Sequence, residues 1–176
     1  MKRRILNVQG HSQYHKEILP SYRNSACGPT TIYVILKYLL GIDYAKNVND
    51  LYSLLGTTKI GLFRWRLIKN LQRYLGPEWI VQKCSLKEAL RQIDEGRPAA
   101  AKFDKYFTFQ WNSKPSFKYH WVPLIGYEID DGELILIVHD NGGVNRDSQI
   151  RKVPYSKNSK VLSFVKIEPK IKQDTN

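Results

Sequence analysis

Helices first and antiparallel strands after: that order of apolar patterns predicts an α+β chain, with N-terminal helices packed on a C-terminal antiparallel β-sheet. Three observations carry the expectation. Thr30 to Leu40 is nearly continuously apolar, as in a helix buried on most sides. From Ala99 onward, short runs rich in β-branched and aromatic residues succeed one another, with turn residues between them. The alternating strand–helix rhythm of a dinucleotide-binding fold is missing.

The elements can be justified in order. Cys27-Gly28-Pro29 opens the apolar helix, because proline in a first turn sacrifices only an N–H that has no intrahelical partner. Gly41 suits the left-handed cap at its far end. A short helix is expected from Asn49 or Asp50 to Leu55, ended by Gly56, and another from Leu62 to Leu75, ended by Gly76-Pro77. Trp79 to Lys83 reads as a strand. Ser85-Leu86-Lys87-Glu88 is a capping box, and its helix runs to Glu95 and stops at Gly96-Arg97-Pro98. Strands follow at Ala99–Phe103, His120–Ile129, Glu133–Asp140 and Val161–Glu168, with a further one at Gln149–Val153. The long aromatic and polar loop from Asp104 to Tyr119 is a candidate for binding.

No internal repeat, low-complexity tract or linker interrupts the 176 residues, so a single domain over 1–176 is expected, with a frayed polar tail at 170–176. With 42% hydrophobic and 25% charged residues, the composition is that of a soluble globular chain. Its net charge of +12 favours an anionic surface or polymer as a neighbour. The basic residues are scattered, and only Arg64, Arg66, Lys69 and Arg73 gather on one helix. An RNA-binding surface would interleave aromatics with basic side chains on exposed strands. Trp111 and Phe117 with Lys114 and Lys118 come nearest to that, and nucleic acid is not the expected partner. No apolar run is long enough to cross a bilayer. Met1 to Gln9 begins like a signal peptide, but no apolar stretch follows. The expected location is cytoplasmic if Met1 is the native start, and secreted or cell-surface if a signal has been removed.

Two cysteines make no disulfide framework, and neither sits in a Cys/His cluster with metal-ligand spacing, so no metal or other cofactor is expected. Most free cysteines are small packing residues. Cys84, at a strand end, fits that description. Cys27 does not, because a thiol at a helix start sits at the positive end of the macrodipole, which favours the reactive thiolate. The unpaired N–H groups of that first turn can also face a developing oxyanion. Gln13 and Gln9 both precede Cys27 and are candidate side-chain donors to the same oxyanion.

A cysteine nucleophile needs a base, and the chain has four histidines: His11, His15, His120 and His139. Strand parity separates the last two. If Asp130-Asp131-Gly132 forms a three-residue hairpin loop, Ile129 pairs with Glu133. His120 then lies opposite Gly142, and Asp140 is its diagonal neighbour on the same face, ~7–8 Å away between backbones. His139 falls on the other face. A two-residue loop would slip the register by one and reverse the result, making Asn141 the alternative orienter.

The stretch from Gln13 through Ala26-Cys27-Gly28-Pro29-Thr30-Thr31, then Gly96-Arg97-Pro98, His120-Trp121-Val122-Pro123-Leu124-Ile125-Gly126-Tyr127 and His139-Asp140-Asn141, resembles the bacteriocin-processing, double-glycine leader peptidase-like family of papain-fold cysteine peptidases. The resemblance spans about Gln9 to Asn141. It implies a papain-like cysteine peptidase fold, a peptide or protein substrate, and hydrolysis through a thioester. Cys27 would be the nucleophile, His120 the base, Asp140 the orienting acid and Gln13 the oxyanion donor. The interval from Gln13 to Cys27 exceeds the family's usual one, which suggests an insertion around Ile18-Leu19-Pro20-Ser21-Tyr22. Two other functions fit the same residues: an acyltransferase or deamidase on this scaffold, or a catalytically idle basic binding module.

Overall fold

The computed structural model describes residues 2–41, 46–110 and 114–170. Trp111 of the aromatic loop and the tail from residue 171 lie outside the described residues. In chain order the elements are β1 (Lys2–Ile5), α1 (Pro20–Arg23), α2 (Cys27–Leu40), α3 (Val48–Leu54), α4 (Arg64–Leu75), β2 (Trp79–Cys84), α5 (Leu86–Asp94), β3 (Ala99–Asp104), β4 (Tyr119–Asp130), β5 (Glu133–Asp140), β6 (Gln149–Pro154), α6 (Tyr155–Asn158) and β7 (Leu162–Pro169). Helices before sheet holds as the dominant order. Beyond the elements expected from the sequence the structure adds β1, α1 and α6, all short and without a clear period.

Among the described residues the strands form one seven-stranded sheet, ordered β2-β7-β3-β4-β5-β6, with β1 added to the far half of β4. Every pairing is antiparallel. Strand β4 is the hub: its first half pairs β3, its second half pairs β1, and β5 runs along its other side.

Two packed layers explain the burial. On one face, α2 contributes Ile32, Ile35 and Leu36, which meet Leu67 and Leu71 of α4 and Ala100, Trp121, Val165 and Ile167 of the sheet. On the other, Ala89 and Ile93 of α5 meet Ala99, Ala101, Phe103 and Val122. Ala99, Ala100 and Ala101 are fully buried, and their small size lets helices approach β3 from both sides. The capping box at the start of α5 forms as the sequence predicts, with Ser85 and Glu88 each satisfying the other's backbone N–H. Helix α2 starts at Cys27 itself and is capped by Gly41, whose positive φ of 87° suits glycine but whose ψ of 169° is extended, not the left-handed helical cap expected there.

The β4–β5 hairpin corrects one expectation. Asp130 pairs Glu133, so the loop is the two residues Asp131 and Gly132 rather than three. Both have positive φ, 46° and 80°, as a tight turn of this twist requires. The pairing then runs one residue out of the expected register as far as Gly126 and Ile137. A bulge between Leu124 and Gly126 absorbs the difference, and Leu124 pairs Val138, as the longer loop would have placed it. Two departures cancel before the strand reaches His120.

Gly126 stands beside that bulge where β1 crosses close. A Cβ there would lie 2.5 Å from the Arg4 carbonyl oxygen and 3.0 Å from the Ile5 Cα, both backbone atoms that cannot swing aside. Gly126→Ala should therefore lower stability by about 1–3 kcal/mol, the usual cost of overpacking. Denaturant unfolding reads this directly; an unchanged midpoint would show that β1 contributes nothing to holding β4.

Candidate functional site

Cys27, His120, Asp140 and Gln13 come from four separate segments and converge. Cys27 is the first residue of α2, His120 the second of β4 and Asp140 the last of β5. Gln13 lies in the irregular segment before α1. Gln13, Cys27 and His120 line one cleft of about 280 Å³, together with Tyr119, Lys59 and the glycines Gly61, Gly142 and Gly143. A larger groove of about 750 Å³, walled by Trp65, Phe107 and Phe164, holds none of the four.

The His120 imidazole stands in the same cleft as the Cys27 sulfur and acts on its ionisation. His120 Nε2 lies 3.1 Å from Asp140 Oδ1, which leaves Nδ1 for the sulfur. Burial pushes the Cys27 thiol up, but the neighbouring His120, with the N–H groups of Trp121 and Gly28, outweighs it and holds the thiol below its ordinary value. Burial likewise opposes charge on His120, yet Asp140 and Cys27 raise it to about 9. Asp140, 1% exposed, would be raised by burial, but His120 and Arg146 hold it down at about 2. The three groups therefore favour a thiolate, an imidazolium and a carboxylate in a row.

Asn141 does something the sequence does not reveal. It is not the orienter. Its buried amide Nδ2 donates to the Cys27 carbonyl at 3.0 Å, Thr31 Oγ1 at 3.0 Å and the Trp121 carbonyl at 2.8 Å. One side chain thus straps the start of α2 to the start of β4, the two elements that carry the sulfur and the imidazole. Its own carbonyl accepts the Gln13 N–H at 2.9 Å, which ties the Gln13 segment to the same point.

Between the two candidate glutamines the structure discriminates. Gln13 is buried in the cleft, and its Nε2 donates to the Arg23 carbonyl at 2.8 Å. Gln9 is exposed, accepts from Lys37 at 3.1 Å and lies away from the cleft. Helix α1 lies between Gln13 and Cys27, and its last residue supplies that carbonyl.

The remaining sequence candidates lie elsewhere. His139 faces away from the cleft, with its ring where a Gly10 Cβ would stand, and burial lowers it. His11 and His15 pack ring to ring at 4.9 Å, and His11 leans on Tyr33. Cys84 is a buried packing residue, pushed up to about 12 by burial. Phe117, expected in an exposed binding loop, instead packs against Phe103 and His120 at 4.9 and 5.0 Å. Among the described residues no group of His, Cys, Asp and Glu is placed to hold a metal ion, and no helix is long and apolar enough to cross a membrane.

Comparison with known proteins agrees with this architecture. No curated protein matches the sequence. A protein from Bacillus anthracis described as a C39-like peptidase superposes with a TM-score of 0.66 at 19% identity, over 97% of this chain and 100% of that one. UfSP from C. elegans superposes with a TM-score of 0.60 at 14% identity, over 96% of this chain and 34% of that one. Both likenesses are of fold. The signature of the Peptidase_C39 like family matches residues 5–169, nearly the whole chain. The chain belongs to the Peptidase_C39 like family and has the papain-like cysteine peptidase fold.

Proposed function

We propose that this protein is a cysteine peptidase in which Cys27 attacks a peptide carbonyl, His120 moves the proton and Asp140 orients His120. The supporting observation is the row itself: a thiol at a helix start, in one cleft with an imidazole that meets a buried carboxylate at 3.1 Å. Membership of a peptidase family points to a peptide or protein substrate.

The steps follow from the residues. The Cys27 thiolate adds to the carbonyl carbon, and the oxygen takes up negative charge. Gln13 Nε2 carries two hydrogens, of which the Arg23 carbonyl takes one; the other is free for that oxygen. N–H groups of the first turn of α2 can share the load. The His120 imidazolium then protonates the departing amine, which leaves a thioester on Cys27. Water, deprotonated by the now neutral His120, hydrolyses the thioester and regenerates the thiol pair. The surplus of basic side chains favours substrates with acidic segments.

The test is cleavage of a random peptide library, with Cys27→Ala as control. Cuts that appear with the native chain and vanish with Cys27→Ala are the expected result. If every cut persists in the variant, another enzyme is cutting and the proposal fails. Products carrying an added amine rather than a new carboxylate would convert the reading to acyl transfer on the same thioester.

A further inference from the structure

Asp140 has a second oxygen, and the chemistry above does not use it. Oδ1 meets His120, while Oδ2 accepts Arg146 Nη2 at 2.8 Å and Arg151 Nη1 at 3.3 Å. The two guanidiniums arrive from different elements. Arg146 comes from the loop after β5, which closes on itself through paired backbone hydrogen bonds between Gly143 and Arg146. Arg151 comes from β6, where it pairs with Val138. It also lies 4.8 Å over the Phe117 ring, and that ring stands 5.0 Å from His120.

We propose that Arg146 and Arg151 are positioning residues that clamp Asp140, fixing the carboxylate plane that aims His120 and pinning the Gly142–Gly143 wall of the cleft to the catalytic row. The proposal rests on the peptidase reading for its catalytic consequence, but not for its geometry.

A carboxylate held only by His120 could turn about its last bond, and the imidazole would turn with it. Donors on the second oxygen stop that rotation, in the way outer partners orient a ligating or catalytic histidine. The wall moves with the clamp. Gly142, with φ of 82°, is hemmed in by Ser12 Oγ at 2.7 Å and the Arg146 carbonyl at 2.8 Å from where its Cβ would lie. Arg146 therefore ties the cleft wall to Asp140 through one side chain.

The clamp also acts on charge. The groups that face Asp140 are His120 from β4, with Cys27 of α2 behind it, Arg146 from the loop and Arg151 from β6; His139 precedes it in β5, with its ring turned away. Two cations on Oδ2 compete with the imidazolium for one negative charge. Removing them leaves Asp140 free to hold the His120 proton more tightly. The alkaline limit of the thiolate–imidazolium pair should then move up, not down. Both arginine side chains are about two-fifths exposed, so solvent screens part of the effect.

The experiment compares the full chain with Arg146→Gln, Arg151→Gln, the double variant and Arg146→Lys. His120 is titrated by NMR of its ring proton, and kcat and KM are measured on a cleaved peptide. The double variant should raise the His120 titration by roughly half a unit. It should also lower kcat several-fold while KM stays within about twofold, because orientation fails before binding does. Arg146→Lys should restore the titration but only part of kcat, since a lysine supplies the charge without the planar fork. If the double variant does not fold, the two single variants carry the same comparison at smaller amplitude. An unchanged His120 titration together with unchanged kcat per folded molecule overturns the clamp. A shifted titration in a chain that cuts no peptide would leave the clamp standing and remove the peptidase reading instead.

Discussion

Replacing His120 with alanine should slow alkylation of Cys27 by iodoacetamide at pH 6 by roughly 10–100-fold. An ordinary thiol, with a pKa near 8.5, is less than about 1% thiolate at that pH, and burial without a cation would lower the fraction further. With His120 protonated beside it, Cys27 is held below its ordinary value, and the reactive form persists towards acid pH. A low-pKa thiolate is intrinsically a weaker nucleophile, which trims the gain and sets the lower bound of the range. The wild-type rate should stay high across neutral pH. The paired state ends on the acid side when the thiolate is protonated, and on the alkaline side when His120 loses its proton near 9. His120→Ala should instead show one rise at alkaline pH. Superimposable pH curves for the two proteins would mean that the imidazole does not reach the sulfur, and the idle-module reading would take over.

The same pair makes a statement about folding. His120 is raised from about 6.5 to about 9, so its contribution is complete below the unfolded value and fades as pH rises through 9. Asp140 is depressed from 3.8 to about 2, so its contribution is present above the unfolded value and is lost as pH falls through 2.

Asn141→Ala should cost about 1–3 kcal/mol of stability and lower kcat/KM by roughly 10–100-fold. The two effects have one cause. The amide is buried, so its loss leaves hydrogen-bond acceptors without the donor around which they are arranged. The strap also sets the separation of the Cys27 and His120 backbones, and a misplacement of about 1 Å is enough for a rate loss of that size. Asn141→Asp should be worse than Asn141→Ala, because an acceptor would replace the donor opposite two carbonyls. Thr31→Val, which removes one acceptor and leaves both carbonyl bonds, should be mild. Chemical denaturation and peptide cleavage measure the two quantities separately. If Asn141→Ala keeps wild-type values of both, the strap is incidental.

Local chemistry was legible where one segment settles the matter. Proline in the first turn and glycine at the cap mark α2 and place Cys27 at its start, because helix termini have their own residue preferences. The capping box of α5 is read from four consecutive residues for the same reason. The pairing of His120 with Asp140 was reached by a register argument whose turn was wrong: the loop is one residue shorter, and the bulge at Ile125 restores the alignment. Gly126, an isolated glycine inside a strand, is the one local sign of that bulge, and it does not say which residue the pairing skips.

What the amino-acid order determined by itself was the longer helices and strands, the seat of the sulfur and the residue types available to it. Tertiary structure alone decided which glutamine enters the cleft, that Asn141 fastens helix to strand, and that Arg146 and Arg151 meet on Asp140. Those contacts join residues from separate elements whose side chains carry no local preference for one another. Only the packing of the sheet, with its bulge and its loops, brings them within hydrogen-bond reach.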